Sequence, residues 1–247
     1  MRSEDKSLAE NELIREFFDH KVGGYFVEVG ANEPTHHGSQ TWHLERDLQW
    51  TGVLSEPIPR LAQRCRECRP NSKVFECACV ATDEPQSISF YIPYDQDREV
   101  PARSAVAMNL DVGRRFERHK EIVVQARTLT SILEEAGTRT IDLLSIDVEG
   151  AELEVLSGVD LKKYAPSLIL LEDKHLYLTK HRYLKKQGYR LVKRTRQNCW
   201  YIPKNATPPS QTWLEKIRLF KRMHISIWGK KLAYSMRHKT LKPFRQL

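Results

Sequence analysis

No stretch of this chain approaches the roughly 18 consecutive apolar residues of a membrane-spanning helix, so none is expected. The opening Met1-Arg-Ser-Glu-Asp-Lys6 is charged and lacks the apolar core of an export signal. Cysteine is sparse and odd in number, five in 247 residues, which together with that N-terminus predicts a reduced cytoplasmic protein. No G-x-G-x-x-G follows a strand pattern, which removes the pyrophosphate fingerprint of a nicotinamide-dependent oxidoreductase. No internal repeat is visible. Acids are scarce toward the C-terminus: residues 208–247 hold ten of the forty Lys and Arg residues but one of the thirty-two acids, Glu215. The remaining residues balance thirty bases against thirty-one acids, so the net charge of +8 belongs to the tail, and the body carries no electrostatic footprint for nucleic acid. The length suits one domain (1–207) followed by a basic tail (208–247).

What is present is a series of acids at strand ends. Ile141 to Ile146 forms an apolar run of the kind a strand covered on both faces requires, and it leads into Asp147, Glu149 and Gly150 before a helical pattern with Leu153, Val155 and Leu156. Upstream, Tyr25 to Val29 reads as another buried strand, with Glu28 near its end and Gly30 at the turn, where the missing Cβ permits close backbone approach. At a third junction a short strand closes at Glu56, which is held extended by Pro57 and falls 26 positions after Gly30. That spacing is close to the roughly 20-residue offset at which an acid holds ribose hydroxyls in nucleoside-binding folds. Three acids at three strand ends predict an adenosine-type pocket, the bland alternatives being helix caps and exposed turn acids.

Along the rest of the chain, periodicity predicts an opening amphipathic helix over 7–20 with Leu8, Leu13, Ile14, Phe17 and Phe18 on its buried stripe. Helices are expected near 40–49 and 58–69, a third strand at 73–81, and a further one at 87–92. The polar segment 93–118 reads as a loop or lid. A strand at 121–127, a helix at 129–136 capped by Thr128 or Thr130, a buried strand at 167–172, and a hairpin of 189–193 with 199–202 complete the pattern. Strands alternating with helices define an α/β fold, with a parallel sheet and an antiparallel terminal hairpin. Cys65, Cys68, Cys77 and Cys79 would make a zinc site if helix and strand faced each other closely; otherwise they are small core residues.

Over roughly residues 24–203 the chain resembles the FkbM-type S-adenosylmethionine-dependent methyltransferases. The resemblance rests on Phe26-Val-Glu-Val-Gly-Ala-Asn32, on Trp50-x-Gly-Val-Leu-Ser-Glu-Pro-x-Pro59, and on Arg127-Thr-Leu with Ile141-Asp-x-Leu-Ser-Ile-Asp-Val-Glu-Gly-Ala-Glu-x-Glu-Val-Leu-x-Gly158. The last motif is long and specific; the first two are common to many methyltransferases. The resemblance implies a Rossmann-like, seven-stranded, doubly wound sheet with a reversed final strand, S-adenosylmethionine as cofactor, and O-methylation as the usual chemistry. Glu33-Pro-Thr-His-His37 stands where the family often has a small Asp/Gly-rich turn.

In such a pocket Gly30 would admit the ligand, the amides of Ala31 and Asn32 would donate to it, and Glu28 would face its ammonium and sulfonium end. Glu56 would take the ribose hydroxyls, and Ala78, Cys79 and Val80 would border the adenine. Asp147 would face the methionine moiety or the acceptor oxygen. The candidates for a base on the acceptor hydroxyl are Asp147, Glu149 and the histidines His36, His37 and His175, and Asp147 with a neighbour could hold magnesium. The expected acceptor is a hydroxyl of a sugar, glycan or secondary metabolite, held by loops near 93–118 and 173–182. A non-catalytic nucleoside- or partner-binding module on the same fold is the alternative. In the tail, residues 213–234 space Trp213, Ile217, Phe220, Ile227 and Trp228 among bases, which suits peripheral contact with an anionic membrane or an acidic partner, against a helix packed on the domain.

Overall fold

Alternate side chains along the central strands enter different cores, so each strand must be apolar on both faces. In the computed structural model this is seen at residue level. The structure describes residues 3–35, 39–101, 104–106, 118–173, 178–195, 198–209, 212–221, 228–229, 232 and 235–236. Strands β1 (Tyr25–Val29), β2 (Thr51–Ser55), β3 (Ser72–Phe75), β9 (Leu143–Ile146) and β10 (Leu168–Glu172) run parallel. With the hairpin of β11 (Tyr189–Arg194) and β12 (Asn198–Pro203) they form one seven-stranded sheet, in the order β11-β12-β10-β9-β1-β2-β3. β12 lies between β11 and β10, antiparallel to both.

Val27, Val29, Leu144, Ile146, Ile169 and Leu171 enter the larger core. Phe26, Leu143, Leu168 and Leu170 enter the core on the opposite face, as a two-residue side-chain period requires. Helices α4 (Leu129–Glu135), α5 (Glu152–Ser157), α6 (Leu161–Tyr164) and α7 (Leu178–Lys186) cover the first face through Leu129, Ile132, Val155, Tyr164 and Leu184. Helices α1 (Ser3–Phe17), α2 (Trp42–Leu48) and α3 (Pro59–Cys68) cover the second through Ile14, Leu44 and Cys65. Of the expected stripe on the opening helix, Ile14 is fully buried and Leu13, Phe17 and Phe18 are partly so. Thr128 is the cap of α4, its hydroxyl accepting from the Ser131 amide at 3.1 Å.

Three expectations need correction. The single strand expected at 73–81 is two: β3 ends at Phe75 beside Ser55, and β4 (Ala78–Val80) pairs with β8 (His119–Thr128) of a second sheet. The break follows from what closes the β2–β3 ladder, since the Glu56 amide takes the Phe75 carbonyl and the Ser55 hydroxyl takes that of Cys77. The segment 93–118 is not simply a loop: β5 (Ser87–Asp95) pairs with β8, and β6 (Arg98–Glu99) and β7 (Ala105–Val106) pair with β5. Residues 107–117 lie outside the described part. The irregular stretch expected at 173–182 runs into α7, whose buried side chains are Lys180 and Leu184. A lysine on the inner face hides the helical period from any hydropathy pattern. Among the described residues, no helix is long and apolar enough to cross a membrane.

Candidate functional site

Parallel register brings the strand-end residues together. Val29 is level with Ser55 on one side and with Ile146 on the other, so Gly30, Glu56 and Asp147 all emerge at the same edge of the sheet. This is where open α/β sheets bind ligands. A cavity of about 430 Å³ opens there, within the usual range of small-molecule sites. Glu28, Gly30, Ala31, Asn32, Glu56 and Asp147 line it from the main sheet, joined by Glu149 and Ser145. Ala78 and Cys79 of β4 form one wall with Ile58, and Phe90, Pro101, Ser104 and Val106 close it from the second sheet.

Gly30 sits at φ +85°, and a Cβ built there would lie 2.0 Å from the Asp147 carbonyl oxygen. Its missing side chain therefore lets β1 and β9 meet at the cleft, which is a different reason from the ligand approach expected of it. The end of the long motif has a similar cause: a Cβ on Gly158 would lie 2.1 Å from the Val80 carbonyl oxygen, so α5 closes tightly on β4.

The amides of Ala31 and Asn32, expected to donate to a ligand, are engaged within the protein. Ala31 donates to the Ser55 carbonyl at 3.2 Å and Asn32 to Glu56 Oε2 at 2.7 Å. Glu28, expected to face a cationic ligand end, accepts from the Ser39 hydroxyl at 3.1 Å, the Gln40 amide at 3.1 Å and the Thr41 hydroxyl at 2.5 Å. Arg69, 1% exposed, lies 3.7 Å from Glu28 and 2.6 Å from Glu45, and donates to the Thr41 hydroxyl at 2.8 Å. Glu28 thus pins residues 39–41, of which Ser39 and Gln40 form one wall of the cleft. No spacing rule marks Arg69, and it was missed for that reason. Ser104 was missed as well; its buried hydroxyl has no hydrogen-bond partner among the described residues and is a polar handle on the far wall.

Glu56 is 3% exposed and accepts from the Asn32 amide and, at 2.9 Å, from the Ile58 amide. A carboxylate has about four lone-pair positions, so two stay available toward the cavity. Burial pushes its carboxyl up to about 7, against the pull of the Ile58 and Asn32 amides. A carboxyl raised above its unfolded value of 4.5 stabilises the fold fully below that pH, and the contribution is lost as pH rises through about 7. Denaturant unfolding of the free chain from pH 4.5 to 8 is expected to show a loss on the order of 3 kcal/mol from this group. Glu56→Gln flattens that part of the profile.

Asp147 is exposed at the cleft mouth, and Glu149 follows at φ +51°. Carboxylate oxygens of Asp147, Glu149 and buried Glu172 lie within 4.8 Å of one another, an oxygen-rich set of the kind that can hold a divalent cation. Behind them Glu152 takes the Gly150 amide at 2.8 Å and is paired with buried Lys180, which lies 3.8 Å from Asp173. His36, His37 and His175 lie outside the described residues. Cys65, Cys77 and Cys79 are buried and Cys68 is exposed, and the four are not drawn together as metal ligands among the described residues. Burial raises the Cys77 thiol to about 11, and Cys79 donates to the Ser55 hydroxyl at 3.3 Å.

A family model, that of the methyltransferase FkbM domain, matches residues 28–191, which include Glu28, Glu56, Asp147, Glu149 and Glu172. The chain belongs to the FkbM methyltransferase family. A relative named "Methyltransferase 1", from Beauveria bassiana (strain ARSEF 2860), is 28% identical over 150 residues, which is 55% of this chain and 58% of that protein. A solved structure titled "Human methyltransferase 10 domain containing protein" overlays with a TM-score of 0.40 at 12% identity, over 79% of this chain and 80% of the other.

Proposed function

We propose that this chain is an S-adenosylmethionine-dependent methyltransferase acting on a hydroxyl oxygen of a sugar, glycan or other secondary metabolite. The observation that carries this proposal is the Glu56 carboxylate. It is anchored by two backbone amides at the edge of the cleft, with acceptor capacity left for a pair of adjacent hydroxyls. The strand order and the reversed β12 support it, because they agree with the doubly wound sheet that the family resemblance implied.

In this arrangement Glu56 binds the ribose, and Ala78, Cys79, Ile58 and Phe90 provide the apolar slot for the adenine. Gly30 and Asp147 would flank the methionine moiety. Gly30, Ala31, Asn32 and Glu28 act by building the edge, since their polar groups are engaged within the protein. The cofactor supplies a methyl group already activated by a positive sulfur, so positioning is the main task of the protein, worth about 7–11 kcal/mol in good cases. Asp147 and Glu149 would orient the acceptor hydroxyl and take its proton; such a base contributes about 10²–10⁴-fold.

Calorimetry with S-adenosylhomocysteine, with NAD as the control ligand, tests the cofactor, and transfer of a labelled methyl group to a panel of glycan and metabolite acceptors tests the reaction. S-adenosylhomocysteine is expected to bind and NAD not. Glu56→Ala is expected to weaken that binding by about 100-fold or more, because two hydrogen bonds to a charged acceptor are lost at about 1.5–3 kcal/mol each. Unchanged affinity in Glu56→Ala would remove the ribose assignment. Binding without transfer to any acceptor would favour the non-catalytic module.

A further inference from the structure

The surface beyond the terminal hairpin is unusual in the amount of large apolar side chain it shows to solvent. Helix α8 (Trp213–Lys221) has no buried residue, and Trp213, Leu214 and Phe220 are 74%, 59% and 61% exposed. Ile217 is exposed too. On a helical wheel Phe220, Trp213 and Ile217 fall on one stripe, with Leu214 at its border and Lys216, Arg218 and Lys221 beside it. The one residue that packs against the main core is Leu219, which lies roughly 130° from the centre of that stripe. The helix therefore rests on the body by its back and turns its aromatic side outward. Trp228, Leu232 and Met236, spaced four apart, are helical and exposed as well.

We infer that α8, together with the exposed helical residues Trp228, Leu232 and Met236, is a docking face for an anionic phospholipid surface. Charge complementarity selects this occupant. The face belongs to a tail with ten Lys and Arg residues and a single acid, while the body is close to neutral. A second copy of the chain would bring a second basic tail against the first, and the two would repel. An anionic bilayer instead attracts each basic side chain, by roughly fivefold in affinity apiece near the surface. Its interface also accepts tryptophan and phenylalanine, with the ring among the upper acyl chains and the bases among the headgroups. Exposed apolar groups rimmed by bases, on a helix attached by its opposite side, match that geometry.

The test uses the full chain and sedimentation with phosphatidylcholine vesicles, with and without phosphatidylserine. At low salt the chain is expected to pellet with the anionic vesicles at least tenfold more strongly than with the neutral ones, and to be released by high salt. Tryptophan emission should shift to the blue on binding. Phe220→Glu and Trp213→Glu are each expected to weaken vesicle binding about tenfold, and the triple charge reversal Lys216→Glu, Arg218→Glu, Lys221→Glu should weaken it by about 100-fold or more. Thermal midpoints should stay within a degree or two, which separates a docking role from a folding one. Absence of binding at low salt, equal binding to neutral vesicles, or binding unaffected by Phe220→Glu would overturn the inference. So would a dimer in sedimentation equilibrium that Phe220→Glu dissolves, since that would make the face a contact between copies.

Discussion

Gly30→Ala is expected to lower the thermal midpoint by about 10 °C and to abolish S-adenosylhomocysteine binding. At φ +85° an L-residue is strained by roughly 1–2 kcal/mol. The added methyl would also lie 2.0 Å from the carbonyl oxygen of Asp147, and the neighbour is backbone, which no rotamer change can clear. Relief needs β1 and β9 to separate at their carboxyl ends. That would stretch the Asp147 amide away from the Val29 carbonyl, now 3.0 Å apart, and pull Gly30 and Ala31 from the Ser55 carbonyl they share. Strain and overpacking together cost about 3–5 kcal/mol, which for a domain of this size is a shift of about 10 °C. Gly137→Ala is the control: its φ is +72° but open space surrounds the new methyl, so about 1 kcal/mol is expected. Calorimetric melting of the two variants, with and without ligand, separates close approach from conformational strain. Equal shifts would show that the contact with Asp147 is unimportant.

Arg69→Met is expected to destabilise the fold by about 3–5 kcal/mol and to loosen the cleft. The guanidinium is the buried cation between Glu28 and Glu45, themselves 5% and 6% exposed. Removing it leaves two buried carboxylates without their counter-charge, the most damaging way to break a buried ion pair. Methionine replaces most of the volume, so the loss reports charge and hydrogen bonding, not a cavity. Glu45→Gln combined with Arg69→Met should recover part of the loss, and the double-mutant cycle in urea measures that coupling. Because Glu28 and Thr41 hold residues 39–41 against the cavity, S-adenosylhomocysteine affinity should fall in Arg69→Met as well. A variant that melts like the wild type would mean that the pair contributes nothing net.

The strand ends were legible from sequence because parallel strands in register turn a linear pattern into a spatial one. An apolar run followed by an acid at Glu56 or Asp147 is enough to place that acid at the sheet's carboxyl edge. Legible too was the hairpin of β11 and β12, whose strands are close in sequence. The polar interior was not. Glu28 meets Thr41 across 13 positions, Arg69 meets Glu45 across 24, and Lys180 meets Glu152 across 28, with no period linking them. A buried arginine has the same letter as an exposed one, so composition cannot tell a clamp from a solvated surface. The same limit hid α7. The second sheet was half visible, because β5 and β8 alternate clearly while β6 and β7 are two residues each and owe their form to pairing with β5.

The crossing from β3 to β4 places the two sides of the cleft on separate frameworks. The edge holding Gly30, Glu56 and Asp147 is tied to the central sheet, whereas Phe90, Pro101, Ser104 and Val106 are carried by the β5 assembly that joins through β8. Substitutions on the β5 side can therefore reshape what enters the cavity while the opposite edge keeps its geometry. A fold divided in this way can vary one wall of its cleft across descendants without rebuilding the edge they inherit.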